Sequence, residues 1–266
     1  MYTNKVLELK NKQDPTNVEI HEALGNHYNT LAEQITGVAD NNWHLVINGP
    51  TGAGKTEFVR SILAHNSKGK TTLNSGTLSA VMLFKLLYQN RAEHDVLVID
   101  DTDSIFENTE SVEVLKGALD SQGEKSVEWS KYSNVLAQDG IPTSFTFRGR
   151  IIIITNRKIQ RDPQAVRNNK DRALLPLWSR VMYFAAGLPN RDWEVESINM
   201  YAQQGLIKCF EEKNISVTGQ NDIIQFISDY KEELLDVNFR TVSQIADFYN
   251  AFDNNRWQDH AISSLT

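Results

Sequence analysis

The run Gly49-Pro50-Thr51-Gly52-Ala53-Gly54-Lys55-Thr56 decides the fold of this 266-residue chain. It fits the pattern Gly-x-x-x-x-Gly-Lys-Thr and lies between an apolar stretch at 44–48 and a helical pattern at 55–65, which is the context that a phosphate-binding loop requires. Its glycines allow positive φ angles, so that successive N–H groups can point at an anion. The helix start adds its positive dipole end. The alternative is a glycine-rich turn that only leads into a helix.

The same run assigns chemistry to two side chains. Lys55 should bridge the β- and γ-phosphates of a bound nucleotide, and the hydroxyl of Thr56 should ligate Mg²⁺. Residues 49–56 are therefore predicted to bind a nucleotide together with Mg²⁺.

The flanking sequence alternates short apolar runs with longer helical patterns. Buried strands are predicted at 44–48, 96–99, 151–154 and 181–185, and helices at 55–65, 78–88 and 112–119. The strand runs are short, β-branched and bounded by polar or turn residues, as in buried parallel strands. The alternation predicts an α/β fold with a parallel sheet and right-handed crossovers.

Two of these strands end in polar pairs. The strand at 96–99 leads into Asp100 and Asp101, and the strand at 151–154 into Thr155 and Asn156. Asp100 would hold Mg²⁺ through water, and Asp101 would orient and polarise the attacking water. The amide of Asn156 could bond the γ-phosphate and that water without competing for the metal. At each strand end the alternative is a plain polar turn.

The two ends of the chain are predicted to be helical. Thr16 and Glu19 form a capping-box pattern that opens an N-terminal helix. Beyond Gly187 the strand signal stops and two apolar helical stripes follow. We expect residues 1–187 to form the α/β domain, with the N-terminal helix, and 188–266 to form an α-helical lid.

Composition excludes several classes of protein. The charged fraction of 23% is that of a globular chain, and no apolar stretch approaches the length needed to cross a bilayer. The lone Cys209 cannot form an intrachain disulfide, and the six histidines lack metal-ligand spacing. A net charge of −7 argues against coating nucleic acid by bulk electrostatics. We expect a cytoplasmic protein, in the host cytoplasm if it is viral.

The motifs narrow the class of phosphate-loop protein. The Asn-Lys-x-Asp guanine reader is absent, since Asn156-Arg157-Lys158 has the wrong order, and nucleoside kinases usually lack the strand-borne acid pair. Over residues 43–252 the chain resembles the AAA+ superfamily of ATPases. The resemblance implies a P-loop NTPase fold of the ASCE/AAA+ type, with a five-stranded parallel sheet, a helical lid, ATP and Mg²⁺ as cofactors, and ATP hydrolysis.

The resemblance also assigns roles to arginines. The stretch at 174–181 contains Ser179-Arg180 just ahead of the last predicted strand, and in AAA+ proteins an arginine here reaches into a neighbouring subunit's ATP. Arg180 is the first candidate for this arginine finger and Arg172 the second. Arg240, at the start of a C-terminal helix, resembles the lid arginine that contacts nucleotide in its own subunit. For Arg180 and Arg240 the alternative is an exposed surface arginine.

The chain differs from most AAA+ proteins at its acid pair, and it shares a predicted hairpin insert with one group of them. AAA+ proteins usually end this acidic strand in Asp-Glu, whereas this chain has Asp100-Asp101. An Asp-Asp pair at this place occurs in superfamily 3 helicases. Alternating patterns near 124–148 predict a β-hairpin insert, as in the clade that includes MoxR-like chaperones and Lon. In such rings the hairpin faces the pore and touches the substrate. Its basic residues could meet phosphates, although nearby acids dilute their charge; the basic residues are Lys125, Lys131, Arg148 and Arg150, and the acids are Glu124, Glu128 and Asp139.

The nature of the substrate stays open at this point. The compact pattern is similar to small phage ATPases encoded near replication genes, which favours helicase loading or DNA remodelling. The alternatives are a MoxR/ClpX-like protein remodeller and an ATP-gated assembly scaffold. An arginine finger requires a ring or filament of several copies of the chain, and most members of the superfamily form hexamers. The expected partners are therefore other copies of the chain, together with DNA or a replication protein.

Overall fold

The computed structural model of the protein describes residues 15–41, 43–120, 126–252 and 256–266. Its strands are β1 (Leu45–Asn48), β2 (Thr71–Ser75), β3 (Val96–Asp100), β4 (Ser126–Glu128), β5 (Ser144–Thr146), β6 (Arg150–Thr155) and β7 (Met182–Ala185). Five of them form one parallel sheet in the order β2-β3-β6-β1-β7. The five-stranded parallel sheet expected from the sequence is therefore confirmed.

Helices follow and separate the strands. They are α1 (Asn17–Asp40), α2 (Lys55–Asn66), α3 (Ala80–Gln89), α4 (Thr109–Ala118), α5 (Asn134–Gln138), α6 (Asn169–Trp178), α7 (Arg191–Gln203), α8 (Lys208–Glu212), α9 (Val217–Asp229), α10 (Phe239–Ala251) and α11 (Arg256–Leu265). A 3-10 helix, Asp103–Phe106, follows β3. No helix in the described part of the chain is both long and apolar enough to span a membrane.

The three central strands are apolar because both faces of the sheet are covered. Every residue of β3 and β6 is buried, as are the first three of β1, which is the pattern of parallel strands between two helical layers. Asn48 of β1 pairs with Thr155 of β6, and Asp100 of β3 pairs with Ile154. The carboxyl ends of these three strands consequently lie side by side, so the polar residues that follow them meet at one edge.

The chain divides into two compact units. One comprises Leu31–Thr51 and Lys55–Ala186 and contains the sheet. The other comprises the described residues up to Thr30, Gly52–Gly54 and Gly187–Thr266. In the second unit the apolar faces of α7 to α11 enclose a core that includes Phe226, Val242 and Trp257.

Helix α1 contributes to both units. Its first half buries Ile20 and Leu24 with Trp193 in the unit that contains the C-terminal helices, and its second half buries Leu31 and Ile35 in the unit that contains the sheet. The sequence had assigned the whole helix to the α/β domain. Its apolar face is continuous along the chain, and periodicity does not indicate which partner each turn packs against.

Between β3 and β6 the chain inserts a small antiparallel sheet. Val127 of β4 pairs with Phe145 of β5, and α5 lies between the two strands. The rings of Phe145 and Phe84 pack edge to face with centroids 5.0 Å apart, and Tyr88 contacts Phe145 in the same way at 5.3 Å. Aromatic packing therefore holds the insert on α3.

Candidate active site

The loop between β1 and α2 has the backbone that its glycines allow. Gly52 and Gly54 have φ angles of 80° and 74°, a region in which a side chain would be strained. At the start of the loop, the N–H of Gly49 donates to the carbonyl oxygen of Thr155 over 3.2 Å. This bond fixes the loop to the end of β6.

Lys55 begins α2 with a buried side chain that is only 7% exposed. Its ammonium donates to the carbonyl oxygens of Gly49 at 2.9 Å and Pro50 at 2.7 Å, and to Oδ1 of Asn156 at 2.7 Å. The ammonium is thus surrounded by three oxygen acceptors, and phosphate oxygens could serve as acceptors in the same positions. The bond to Asn156 joins the loop lysine directly to the end of β6.

Thr56 and Asp100 form the second contact of the site. The Thr56 hydroxyl donates to Asp100 Oδ2 over 2.7 Å. Asp100 is buried, and its Oδ1 has no hydrogen-bond partner among the described residues. Burial raises the pKa of the Asp100 carboxyl above its ordinary value, and the Thr56 bond partly opposes this. A hydroxyl and a carboxylate with a free lone pair are hard oxygen ligands, so these residues fit Mg²⁺.

Asp101 and Asn156 complete a chain of hydrogen bonds. Nδ2 of Asn156 donates to Asp101 Oδ1 over 2.8 Å while its Oδ1 accepts from Lys55. Both side chains are exposed. Asp101 has a φ of 48°, in the left-handed region that non-glycine residues adopt rarely and that concentrates at functional sites. The turn after β3 thus aims this carboxylate at the amide.

The chain is similar in sequence to a phage protein. No protein-family model matches the chain. It is 28% identical over 267 residues to an uncharacterized 36.7 kDa protein from the nrdC-mobD intergenic region of Enterobacteria phage T4, covering 97% of this chain and 78% of that protein.

Solved structures decide the fold. A point mutant of Thermotoga maritima RuvB aligns with a TM-score of 0.54 and 14% identity, over 90% of this chain and 68% of RuvB. NtrX from Brucella abortus in complex with ADP aligns with a TM-score of 0.51 and 16% identity, over 96% of this chain and 54% of NtrX. This chain has the AAA+ ATPase fold.

Within this AAA+ fold, neither candidate finger arginine bonds to the Lys55 network among the described residues. Arg180 follows α6 and is half-buried, and its backbone N–H donates to the carbonyl oxygen of Leu177 over 3.0 Å. Arg172 lies exposed on α6 itself. Neither side chain has a hydrogen bond or ion pair within the described ranges. Their positions leave both guanidinium groups available for another molecule.

Arg240 belongs to the other compact unit. It lies in the first turn of α10 with an exposed side chain, and its backbone N–H donates to Oδ1 of the N-cap Asn238 over 2.9 Å. Asn238 also accepts from Thr241 N–H over 3.0 Å. The cap explains why the helix begins here; the proposed contact of Arg240 with nucleotide stays a prediction.

Sequence reasoning did not single out Asn48, the last residue of β1. Its Nδ2 donates to the carbonyl oxygens of Arg157 at 2.5 Å and Thr155 at 3.3 Å, and its Oδ1 accepts from the Tyr183 hydroxyl at 3.1 Å. One amide thus connects the end of β1 to the end of β6 and to a side chain of β7. The available signal was an asparagine that ends an apolar strand, as Asn156 follows another.

The insert of this AAA+ fold offers less positive charge than its sequence indicated. The expectation that Arg150 could meet phosphates is wrong: it is 5% exposed, it belongs to β6, and its guanidinium donates to the carbonyl oxygens of Asn41, Arg148 and Gly149. Lys131 pairs with Glu110. Arg148 is exposed, and Lys125 lies outside the described residues.

Proposed function

We propose that the chain binds ATP with Mg²⁺ and hydrolyses it. The observation that carries this proposal is the continuous set of hydrogen bonds from Lys55 through Asn156 to Asp101, beside the Thr56–Asp100 pair. These groups meet at the carboxyl edge of a parallel sheet, where ligands of open α/β folds bind. They are the phosphate-binding loop, the oxygens of Thr56 and Asp100 that could ligate a metal, and the exposed carboxylate of Asp101. That NtrX was solved with ADP supports a nucleotide as the ligand.

Each residue has a proposed part in the reaction. The backbone of residues 49–54 and the Lys55 ammonium would bind the phosphates, with phosphate oxygens replacing the carbonyl acceptors of Lys55. Asp101 would take a proton from the attacking water, and Asn156 would hold that water in line. Thr56 and Asp100 would hold Mg²⁺, which neutralises charge that develops on the β- and γ-phosphate oxygens.

We further propose that the active assembly is a ring or filament of this chain. Arg180, or in second place Arg172, would enter the site of the next copy and stabilise charge on the transferred phosphoryl group. Among the residues that the structure describes, neither guanidinium has a hydrogen-bond or ion-pair partner, which supports this proposal. Arg240 would contact nucleotide in its own subunit, from the helical lid at 188–266 that follows the α/β domain at 1–187.

The primary test uses two variants with opposite expectations. Lys55→Ala removes the buried ammonium and should abolish binding of a fluorescent ATP analogue. Arg60→Ala, on an exposed face of the same helix, should bind as the wild type does. Normal ATP binding and turnover in Lys55→Ala would overturn the proposed function.

For the substrate, we propose DNA in phage replication, such as helicase loading or DNA remodelling in the host cytoplasm. The similarity to a phage T4 protein supports a phage setting. Single-stranded DNA titrated at about 50 and 200 mM salt should bind and stimulate turnover, with affinity falling as salt rises. If DNA neither binds nor stimulates at either salt concentration, the DNA role fails.

The insert favours a second candidate, remodelling of a protein. Lys131 is neutralised by Glu110 and Arg150 is buried, whereas the Tyr132 side chain is 85% exposed. An exposed aromatic residue with little surrounding net positive charge suits an apolar segment of an unfolded chain better than a phosphate backbone. Stimulation of turnover by an unfolded protein but not by DNA, lost in Tyr132→Ala, would favour this candidate.

A further inference from the structure

Arg157 makes a clamp between two segments that are distant in sequence. Its guanidinium donates to the carboxylate of Glu107, just after the 3-10 helix, and to Asp171 Oδ1 in the first turn of α6 over 2.9 Å. Lys170 adds a 2.9 Å ion pair to Glu107. The side chain of Arg157 is 22% exposed, against 45% for Glu107 and 29% for Asp171, so the shared cation is the most enclosed member.

The backbone of Arg157 is fixed at the nucleotide-side edge of the sheet. Its N–H donates to the Thr155 hydroxyl over 3.0 Å, and its carbonyl oxygen accepts from Nδ2 of Asn48 over 2.5 Å. Asn156, which bonds both Lys55 and Asp101, directly precedes it. Any movement of the end of β6 is therefore transmitted to the base of this guanidinium.

The other end of α6 is anchored on the same 3-10 helix. Trp178, the last residue of α6, packs edge to face on Phe106 with ring centroids 5.1 Å apart, and both side chains are buried. Asp171, through Arg157 and Glu107, and Trp178, through Phe106, thus connect the first and last turns of α6 to residues 103–107. Arg172 lies next to one anchor and Arg180 two residues beyond the other.

The hydrogen bonds of the clamp stabilise the charged forms of its members. Burial alone would lower the pKa of Arg157, but the hydrogen bonds that it donates to Glu107 and Asp171 raise that pKa above its ordinary value. The pKa of Asp171 is lowered, first by its bond from Asn168 and then by Arg157. An isolated exposed ion pair contributes little to stability, whereas a guanidinium that bonds two carboxylates also fixes the distance between them.

We propose that Arg157 is a positioning residue that sets where α6, and with it Arg180, is presented to the neighbouring copy. This rests on the proposed function, in which an arginine of α6 or its C-terminal turn completes the next subunit's site. Through its backbone and side chain, Arg157 connects the nucleotide-side end of β6 in one copy to the arginine offered to the next. A misplacement of about 1 Å costs on the order of 10²-fold in rate.

The test separates effects on a subunit's own site from effects on its neighbour. Arg157→Ala should lower kcat roughly 10- to 100-fold, while the Kd for ATP stays within about twofold and oligomers still form. Arg157→Lys, which keeps charge but serves one carboxylate, should lie between. Arg167→Ala, an exposed arginine in the same loop, should match the wild type.

Mixed assemblies give the decisive readout. Lys55→Ala subunits cannot use ATP but retain α6 and its arginines, so adding them in excess should restore turnover to Arg157→Ala subunits. Arg180→Ala subunits, mixed in the same way, calibrate the assay. Rescue of Arg180→Ala without rescue of Arg157→Ala would overturn this inference and leave the proposed arginine finger standing.

The remaining outcomes are also decisive. Rescue of neither variant in verified mixed oligomers would overturn both the inference and the proposed finger, and normal kcat in Arg157→Ala would overturn the inference alone. If Arg157→Ala does not fold, Asp171→Asn opens the same clamp from the side of α6 and keeps an acceptor for its helix-cap bonds. The same rescuable loss of kcat is expected from it, and a loss that mixing does not restore would contradict the inference.

Discussion

Replacing Asp101 by asparagine separates its chemistry from its position. Asparagine also tolerates a φ of 48°, and its Oδ1 can accept the 2.8 Å bond that Asn156 Nδ2 now donates to the carboxylate. The hydrogen bond changes only from charged to neutral, a difference of about 1 kcal/mol. Loss of a general base lowers a rate by roughly 10²–10⁴-fold, which is about 3–5 kcal/mol in activation free energy.

The two magnitudes make the experiment decisive. Phosphate release at saturating ATP should fall about 10²-fold or more in Asp101→Asn, while the Kd of a fluorescent ATP analogue should change less than about fivefold. Asp103→Asn is the matched control, because its side chain accepts a bond from the Thr155 hydroxyl that an amide oxygen can also accept. A decrease within about fivefold in Asp101→Asn, the range of the hydrogen bond alone, would refute the general-base role.

Three further predictions concern single side chains. Asn156→Ala loses both bonds of its amide, and turnover should fall by about 10²–10³ with ATP still bound; unchanged phosphate release would remove the residue from the mechanism. Arg180→Ala should reduce turnover about 10³-fold or more at unchanged nucleotide affinity, whereas Arg172→Ala should stay near the wild-type rate, and the reverse order would transfer the finger role. Burial lowers the pKa of His27 to about 4, so its contribution to stability is complete above pH 6.5 and is lost as pH falls toward 4. The unfolding free energy from urea titrations should drop by about 2 kcal/mol between pH 7 and 5 from this group, and His27→Gln, but not the exposed His65→Gln, should remove that part of the drop.

The buried part of the fold was readable from the sequence, and its edge was not. Strands β1, β3 and β6 are apolar because helices cover both faces of the sheet. Burial on both faces selects apolar residues along each strand, so the local sequence predicts these strands. Strand β2 reads Thr-Thr-Leu-Asn-Ser and is half-buried or exposed along its length. Only its pairing with β3 makes it a strand, so local pattern could not predict it.

The candidate site also has a part that the sequence predicts and a part that it does not. Residues 49–56, Asp100, Asp101 and Asn156 could be placed from motif spacing, because parallel strands deliver their ends to one edge. The clamp of Arg157 could not, since it is 50 residues from Glu107 and 14 from Asp171 in the chain. The left-handed turn at Asp101 and the burial of Arg150 are likewise set by packing rather than by local composition.

The polar edge strand has a consequence for how copies of this protein associate. An edge strand with unpaired backbone groups can recruit a strand from another molecule, yet β2 presents short hydroxyl and amide side chains that favour water over a dry sheet contact. It contains five residues, which gives an incoming strand little length to pair with. Growth of the sheet from one molecule into the next is therefore disfavoured on this side, and a concentrated solution should be protected from edge-to-edge aggregation through β2.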